Sequence, residues 1–493
     1  MSAYSRVRPL VVATQFICEK TMMGRDGMER MRGRRALASA LMAATLLSGC
    51  GIFKGGGDKK PKTEVLGERI PVLTVESSAG SDASIDTVPV TVPEAQPNAE
   101  WVQPGGDPQK AMGNLALGAS PERIWTVQLA KSERGARLAA TPAVADGHIF
   151  VVDTLANVRA YDAQTGKELW STQLKGTLGP RLKDAGIPGM LGRKSQKGYK
   201  SSLFGGGVSY DEGKLYATNG LGEVAQLDAA TGKIGWRVTP GGPLRGAPAI
   251  ANGSAYVMTS DNQLFALSLA DGTTQWTASG PLETAGVFGT GAPAIGHSTV
   301  IAGYSSGDLD AYRYENGRVV WQDALTRTSM STTVGDVTDV DASPVVDDTR
   351  VYAVGAGGRM VALDLLTGQR LWEINIGGIS TPAMAGDWLF VVADDAHLYC
   401  IQRSSGKIRW STQLPHYRNE TKKTTQIIWS GPVLGGGKLW LTNSQGNLVS
   451  VAIGTGKIVS TDRASKQPFS LPPVIANNMM FLLSGDSKLA GWR

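Results

Sequence analysis

From about residue 121 to the end of the chain, apolar and polar residues alternate in runs of four to six, each closed by Gly, Asp, Asn or Thr. In His148-Ile149-Phe150-Val151-Val152 and Val158-Arg159-Ala160-Tyr161, β-branched and aromatic side chains recur at the two-residue period of strands. The runs belong to one longer unit, which starts at Thr141-Pro142-Ala143-Val144 and ends at Asp162-Ala163-Gln164-Thr165-Gly166-Lys167-Glu168-Leu169-Trp170. Each unit holds three or four short antiparallel strands. In its ending, Asp and Thr oxygens cap turn amides, and the glycine supplies the positive φ of a tight connection. The tryptophan four residues on falls in the outermost strand, where a flat side chain fills the wedge between neighbouring units.

The Gly-x-x-x-Trp ending recurs at Gly166/Trp170, Gly232/Trp236, Gly272/Trp276, Gly317/Trp321, Gly368/Trp372 and Gly406/Trp410, while Gly456 is followed by Ser460 where the tryptophan would fall. Successive tryptophans are 66, 40, 45, 51 and 38 residues apart. Such a period, built of short strands, predicts propeller blades. Seven units start near residues 141, 205, 246, 291, 342, 381 and 431, and an eighth, from Pro472 to Arg493, stops before its last strand. Arg123-Ile124-Trp125-Thr126-Val127-Gln128-Leu129 is the missing strand. Pairing it with the C-terminal strands closes the ring and removes two exposed sheet edges. The expectation is an all-β, eight-bladed β-propeller over residues 121–493.

The N-terminal part differs. Arg32, Arg34 and Arg35 precede the apolar run Ala36 to Leu47 and then Ser48-Gly49-Cys50. A basic stretch, an apolar stretch and small residues before a cut site make a secretory signal, too short to span a bilayer comfortably. Residues 1–49 are therefore read as an N-terminal extension and signal peptide, with Met1, Met28 and Met31 all open as the start of translation. The cysteine directly after the apolar run resembles a lipobox. By that resemblance Cys50 is acylated, becomes the first mature residue and anchors the protein in the outer membrane, facing the periplasm. Residues 50–120, rich in Gly, Pro and Ser and poor in periodic apolar positions, are expected to be a flexible tether. With Cys18 lost from the mature chain by processing and Cys50 alkylated, Cys400 has no disulfide partner and is expected to be a small core residue.

Charge and composition refine the picture. Lys and Arg outnumber Asp and Glu by 49 to 43. Eight of the basic residues and three of the acidic ones precede Cys50, so the mature chain carries about +1 and the case for a nucleic-acid partner goes with the leader. The 62 glycines fit a turn-dense β protein.

The Ala-x-Asp-x-x-Thr-Gly-x-x-x-Trp endings resemble the repeats of pyrroloquinoline-quinone (PQQ) enzymes. Lipobox, tether and eight blades together resemble the BamB family of outer-membrane protein assembly factors, and the lengths and the Ser202-Leu203-Phe204-Gly205-Gly206-Gly207 segment look like its alphaproteobacterial members. That resemblance implies a non-catalytic scaffold of the β-barrel assembly (BAM) complex, without cofactor. Its implied partners are the POTRA domains of BamA, other BAM subunits, nascent outer-membrane β-barrel proteins and, through the lipid, the membrane. Asp339-Val340-Asp341 matches the family loop that contacts BamA, so Asp339 and Asp341 become candidate partner-binding carboxylates able to accept charge-assisted bonds. The family's Leu-x-Leu-Arg-Gly segment aligns by blade order with Ala285 to Gly289, which lacks the arginine. Leu244 and Arg245, in Pro243-Leu244-Arg245-Gly246 one blade earlier, are the alternative candidates.

Two other functions stay open: a PQQ-dependent quinoprotein dehydrogenase, and a scaffold of a different envelope complex. The alcohol dehydrogenases of the PQQ group carry a vicinal Cys-Cys pair, and this chain has no adjacent cysteines. His148, His297, His397 and His416 lack metal-ligand spacing, and the chain contains no Gly-x-Ser-x-Gly, His-Glu-x-x-His or Walker A pattern, so no catalytic or metal residue is assigned. Two long connections, 171–204 and 411–430, are additional places for partner contacts.

Overall fold

The computed structural model describes residues 79–129, 138–174, 205–282, 291–325, 339–356 and 358–493. Cys50, the leader before it and residues 51–78 lie outside this range, as do Ala285 to Gly289 and most of connection 171–204. Eight four-stranded antiparallel sheets follow one another along the chain, and among the described residues there is no helix. Blades 1 to 7 span residues 143–173, 208–238, 249–279, 294–324, 345–374, 383–413 and 429–463. Their first strands begin within three residues of the expected starts. Blade 8 joins Val474–Ala476, Met479–Leu483 and Lys488–Trp492 to Arg123–Gln128. Trp125 lies opposite Gly491 and Gln128 opposite Lys488, so the two chain ends close the ring as expected.

In every blade the strands run in order from the channel outward, which gives the ring two different faces. The turns between first and second and between third and fourth strands share one end, here the turn face. The turns between second and third strands share the other with the connections from blade to blade, here the connection face.

The blade seams explain the Gly-x-x-x-Trp ending more fully than turn geometry alone. Each tryptophan lies against the glycine of the next blade, and its indole Nε1 donates to the carbonyl three residues before that glycine. Trp125, Trp170, Trp236, Trp276, Trp321, Trp372 and Trp410 donate to Ala163, Ala229, Leu269, Tyr314, Leu365, Arg403 and Ile453 at 2.8–3.2 Å. The glycine has a positive φ, as at Gly232 (70°). It also leaves no room for a side chain: a Cβ on Gly232 would lie 2.4 Å from the Trp170 ring. The exception is explained by topology. The third and fourth strands of blade 8 come from opposite ends of the chain, so no glycine turn joins them and a tryptophan at 460 would have nothing to meet. Ser460 instead bonds Ser450 at 2.7 Å within its own blade.

The tether expectation needs correction from residue 79 onward. Residues 79–119 form a strap laid across the turn face. It begins at the rim of blade 6, where the Asp82 amide donates to Ile408 O (2.8 Å) and Arg409 Nε to Val88 O (2.6 Å). It then follows the inner strands around the ring. Asn98 bonds Ile475 of blade 8, Trp101 exchanges two 2.8 Å backbone bonds with Val144 of blade 1, and Val102 O accepts from Tyr210 of blade 2. The Gln103 side chain brackets Ile250 of blade 3, Pro108 O accepts from Ile295 of blade 4 and Gln109 O from Val346 of blade 5. Finally Leu115 bonds Leu434 and Gly436 of blade 7. The physical reason is that an innermost strand has one edge paired with its own blade and one edge facing the channel, where an unpaired buried amide is costly. Trp101, Leu115 and Leu117 of the strap are buried in the same apolar cluster as blade 8. Composition hid this segment because it pairs singly with successive strands, with no period of its own. Gln103 and Lys110, both buried, show that its polar residues serve the channel.

Candidate functional site at the connection face

Three of the four candidate partner-binding residues converge, although the sequence separates them by more than 90 positions. Arg245 lies just before the first strand of blade 3, where its amide donates to Met258 O (3.0 Å) and fixes the chain beside blade 3's second strand. Asp339 and Asp341 lie just before the first strand of blade 5. The Arg245 guanidinium spans the blade between them, 3.2 Å from Asp339 and 3.6 Å from Asp341. Leu244 is not part of the group; it is buried in the apolar cluster between blades 2 and 3, with Tyr216, Ile250 and Phe265.

The setting differs from the expected pair of ionised carboxylates on one loop. Asp339 is fully buried, and Asp341 and Arg245 are 6% and 7% exposed. Burial first, and then the Asp339 carboxylate, push Asp341 up to about 8 against the pull of Arg245. At neutral pH the pair therefore holds a proton. Asp394, in the blade 6 turn on the same face, is raised to about 6 by burial and by Asp395. The carboxylates are matched to a cation supplied by the chain itself, a feature that sequence could not reveal because Arg245 reaches them only through the curvature of the ring.

Asp341 also lines a cavity of about 180 Å³ in the channel. Its walls are the residues entering the inner strands, including Thr141, Gly291, Ser343, Thr381, Ser430 and Leu471, and its floor is the strap, through Trp101, Lys110, Met112 and Leu115. The strap thus turns an open channel into a bowl facing the connection face. Lys110 is 3% exposed, and burial lowers its amine to about 7 despite the opposing effect of Asp107. Among the described residues no group of three or more His, Cys, Asp or Glu converges as a metal site.

The other flagged positions are ordinary in structure. Cys400 is a buried free thiol in the third strand of blade 6, pushed up by burial, and is the expected core residue. Connection 411–430 carries a small hairpin, Tyr417–Asn419 with Thr424–Gln426, whose turn is held by Glu420 accepting from the His416 and Tyr417 amides at 2.9 Å.

Fold and seams together define a PQQ-like repeat propeller of eight blades. A family model described as outer membrane protein assembly factor BamB matches residues 112–187 and 184–412, more than half of the chain, and the protein belongs to that family. Curated relatives named outer membrane protein assembly factor BamB include one from Yersinia pestis, 25% identical over 74% of this chain and 86% of its own length. Another, from Escherichia coli K12, is 24% identical over 92% of this chain and 98% of its own length. Among solved structures, BamB from Moraxella catarrhalis aligns with a TM-score of 0.60 at 18% identity, covering 76% of this chain and all of that one. A europium-containing methanol dehydrogenase aligns at 0.59 and 14% identity, covering 83% and 90%. At these identities both structures speak for the fold alone, and the fold by itself does not separate a scaffold from an enzyme.

Proposed function

We propose that this protein is a non-catalytic, lipid-anchored scaffold of the β-barrel assembly complex, facing the periplasm and binding the POTRA domains of BamA through its connection face. Family membership supports the complex. The observation that carries the choice of face is the convergence of Arg245, Asp339 and Asp341 there, while the strap already occupies the turn face. Asp339 holds the arginine, and Asp341, at the wall of the bowl, is the carboxyl group a partner's Lys or Arg reaches. Entry of that cation favours the ionised form of Asp341, so binding releases the shared proton. Nascent β-barrel proteins have a separate surface in this reading: the outer blade edges, where Leu169, Val319, Leu371 and Val459 are exposed, offer unpaired strands for transient β-augmentation.

The test is capture of purified BamA periplasmic domains by the wild type, Asp341→Asn and Arg245→Met, each checked for native circular dichroism. Asp341→Asn is expected to weaken capture about tenfold, the loss of one charge-assisted contact of ~1.4 kcal/mol. Undiminished capture by both folded variants overturns the site, and no capture by the wild type overturns the partner.

A further inference from the structure

The strap places one group in the channel that the scaffold reading does not use. Lys110 is 3% exposed, yet among the described residues its amine forms no ion pair and makes one hydrogen bond, a long one of 3.4 Å to Gln103 Oε1. That acceptor is already engaged, since Gln103 Oε1 takes the Ile250 amide at 2.9 Å while its Nε2 donates to Ile250 O at 3.2 Å. Gln103 is thus held by blade 3 and cannot turn to serve the lysine better. Asp107 is the nearest carboxyl influence, and it is committed to the Ala111 amide at 3.0 Å. A buried ammonium with two unused N–H donors is costly unless something in the space beside it accepts them.

That space is the bowl. Lys110 lines it beside Met112, Leu115, Met384 and Leu434, and its volume of about 180 Å³ exceeds the ~150 Å³ of an apolar cavity that admits benzene. The lining is more apolar than polar, with one cationic donor at the floor and the hydroxyl residues Thr141, Ser343, Ser380, Thr381, Ser430 and Ser470 on the wall. This division suits a ligand with one anionic end and a compact apolar body. Asp341, on the same wall, disfavours a second anionic group on the ligand and holds a proton when the bowl is neutral. We propose that the strap-floored bowl is a binding site for a small monocarboxylate with an apolar body of about ring size, its carboxylate seated on Lys110.

Binding of this kind couples to the lysine's own proton: a carboxylate on Nζ favours the ammonium, so the amine's midpoint rises from near 7 when the site fills. The experiment uses the purified protein with benzoate as the probe, benzyl alcohol and benzylamine as neutral and cationic controls, and acetate as the control lacking the apolar body. Affinity is read by calorimetry and the Lys110 midpoint by NMR of the ¹³C-labelled lysine ε-carbons. Benzoate is expected to bind at least about tenfold tighter than any control and to raise the Lys110 midpoint by about one unit or more. Lys110→Met is expected to lose that preference while still binding benzyl alcohol. Equal binding of benzoate and benzyl alcohol, absence of benzoate binding at millimolar concentration, or a Lys110 midpoint unmoved by benzoate each overturns the proposal. The midpoint is measured in the wild type, so the test stands even if Lys110→Met fails to fold.

Discussion

The blade seams make a quantitative distinction between two reasons for a glycine. Gly147 and Gly232 have nearly the same backbone, with φ of 72° and 70°. A Cβ at Gly147, in a first turn of blade 1, meets nothing within 4 Å, whereas one at Gly232 would lie 2.4 Å from Trp170 Cε3 and 2.7 Å from Thr172 Oγ1. Left-handed backbone costs a non-glycine residue roughly 1–2 kcal/mol, and the lost flexibility of the unfolded chain offsets about 0.4–1 kcal/mol of that. These contributions are common to both sites, so Gly147→Ala is expected to cost about 1 kcal/mol. Overpacking adds roughly 1–3 kcal/mol at Gly232 alone, for a total of about 2–4 kcal/mol. Urea unfolding followed by circular dichroism measures both variants against the wild type. In a Trp170→Leu background, where the ring is gone, most of the excess at Gly232 should vanish. Equal costs for the two alanines, or an excess that survives the loss of Trp170, would refute the claim that these glycines exist to admit the neighbour's indole.

Other consequences can be checked separately. Gln103→Ala leaves both channel-facing groups of Ile250 unpaired and is expected to cost about 2–3 kcal/mol by the same unfolding assay, whereas a free tether would leave stability unchanged. The Asp339/Asp341 pair titrates with a raised folded value for Asp341, so its contribution is fully present below the unfolded value of 3.8 and is lost as pH rises through about 8. Asp341→Asn cannot ionise, so its stability relative to wild type should rise from pH 5 to pH 8 by at least about 1 kcal/mol, and a flat difference would contradict the buried pair. Cys400, buried in blade 6, should react with a thiol reagent only as fast as the blade opens, and prompt labelling of the native protein would contradict its placement. If Cys50 is the acylated residue, Cys50→Ala should release the protein from membranes on fractionation.

Much of the ring was legible because its determinants are local and repeated. Period-two alternation located the strands, the Asp-x-x-Thr-Gly turns ended the blades, and a final unit one strand short demanded the strand at Arg123–Gln128. Ser460, which looked like a lapse in the repeat, follows from the same topology once the missing turn of blade 8 is seen. The strap was illegible because nothing repeats within it: Trp101, Gln103, Pro108, Gln109 and Leu115 each answer a different inner strand. The candidate site was half legible. Its residues could be picked out by resemblance, but their burial and mutual pairing depend on curvature that brings the segments before blades 3 and 5 together across blade 4. That same convergence changes their chemistry from two ionised carboxylates to a proton-sharing pair around an internal arginine.

In the proposed complex BamA meets the connection face while the strap keeps the turn face. Photo-crosslinking in cells tests it directly, with a crosslinking amino acid placed at Ser260, exposed beside Arg245 on the connection face, or at Lys233, exposed in the blade 2 turn on the other face. A BamA adduct is expected from position 260 and none from position 233. An adduct from 233 with none from 260 would contradict it.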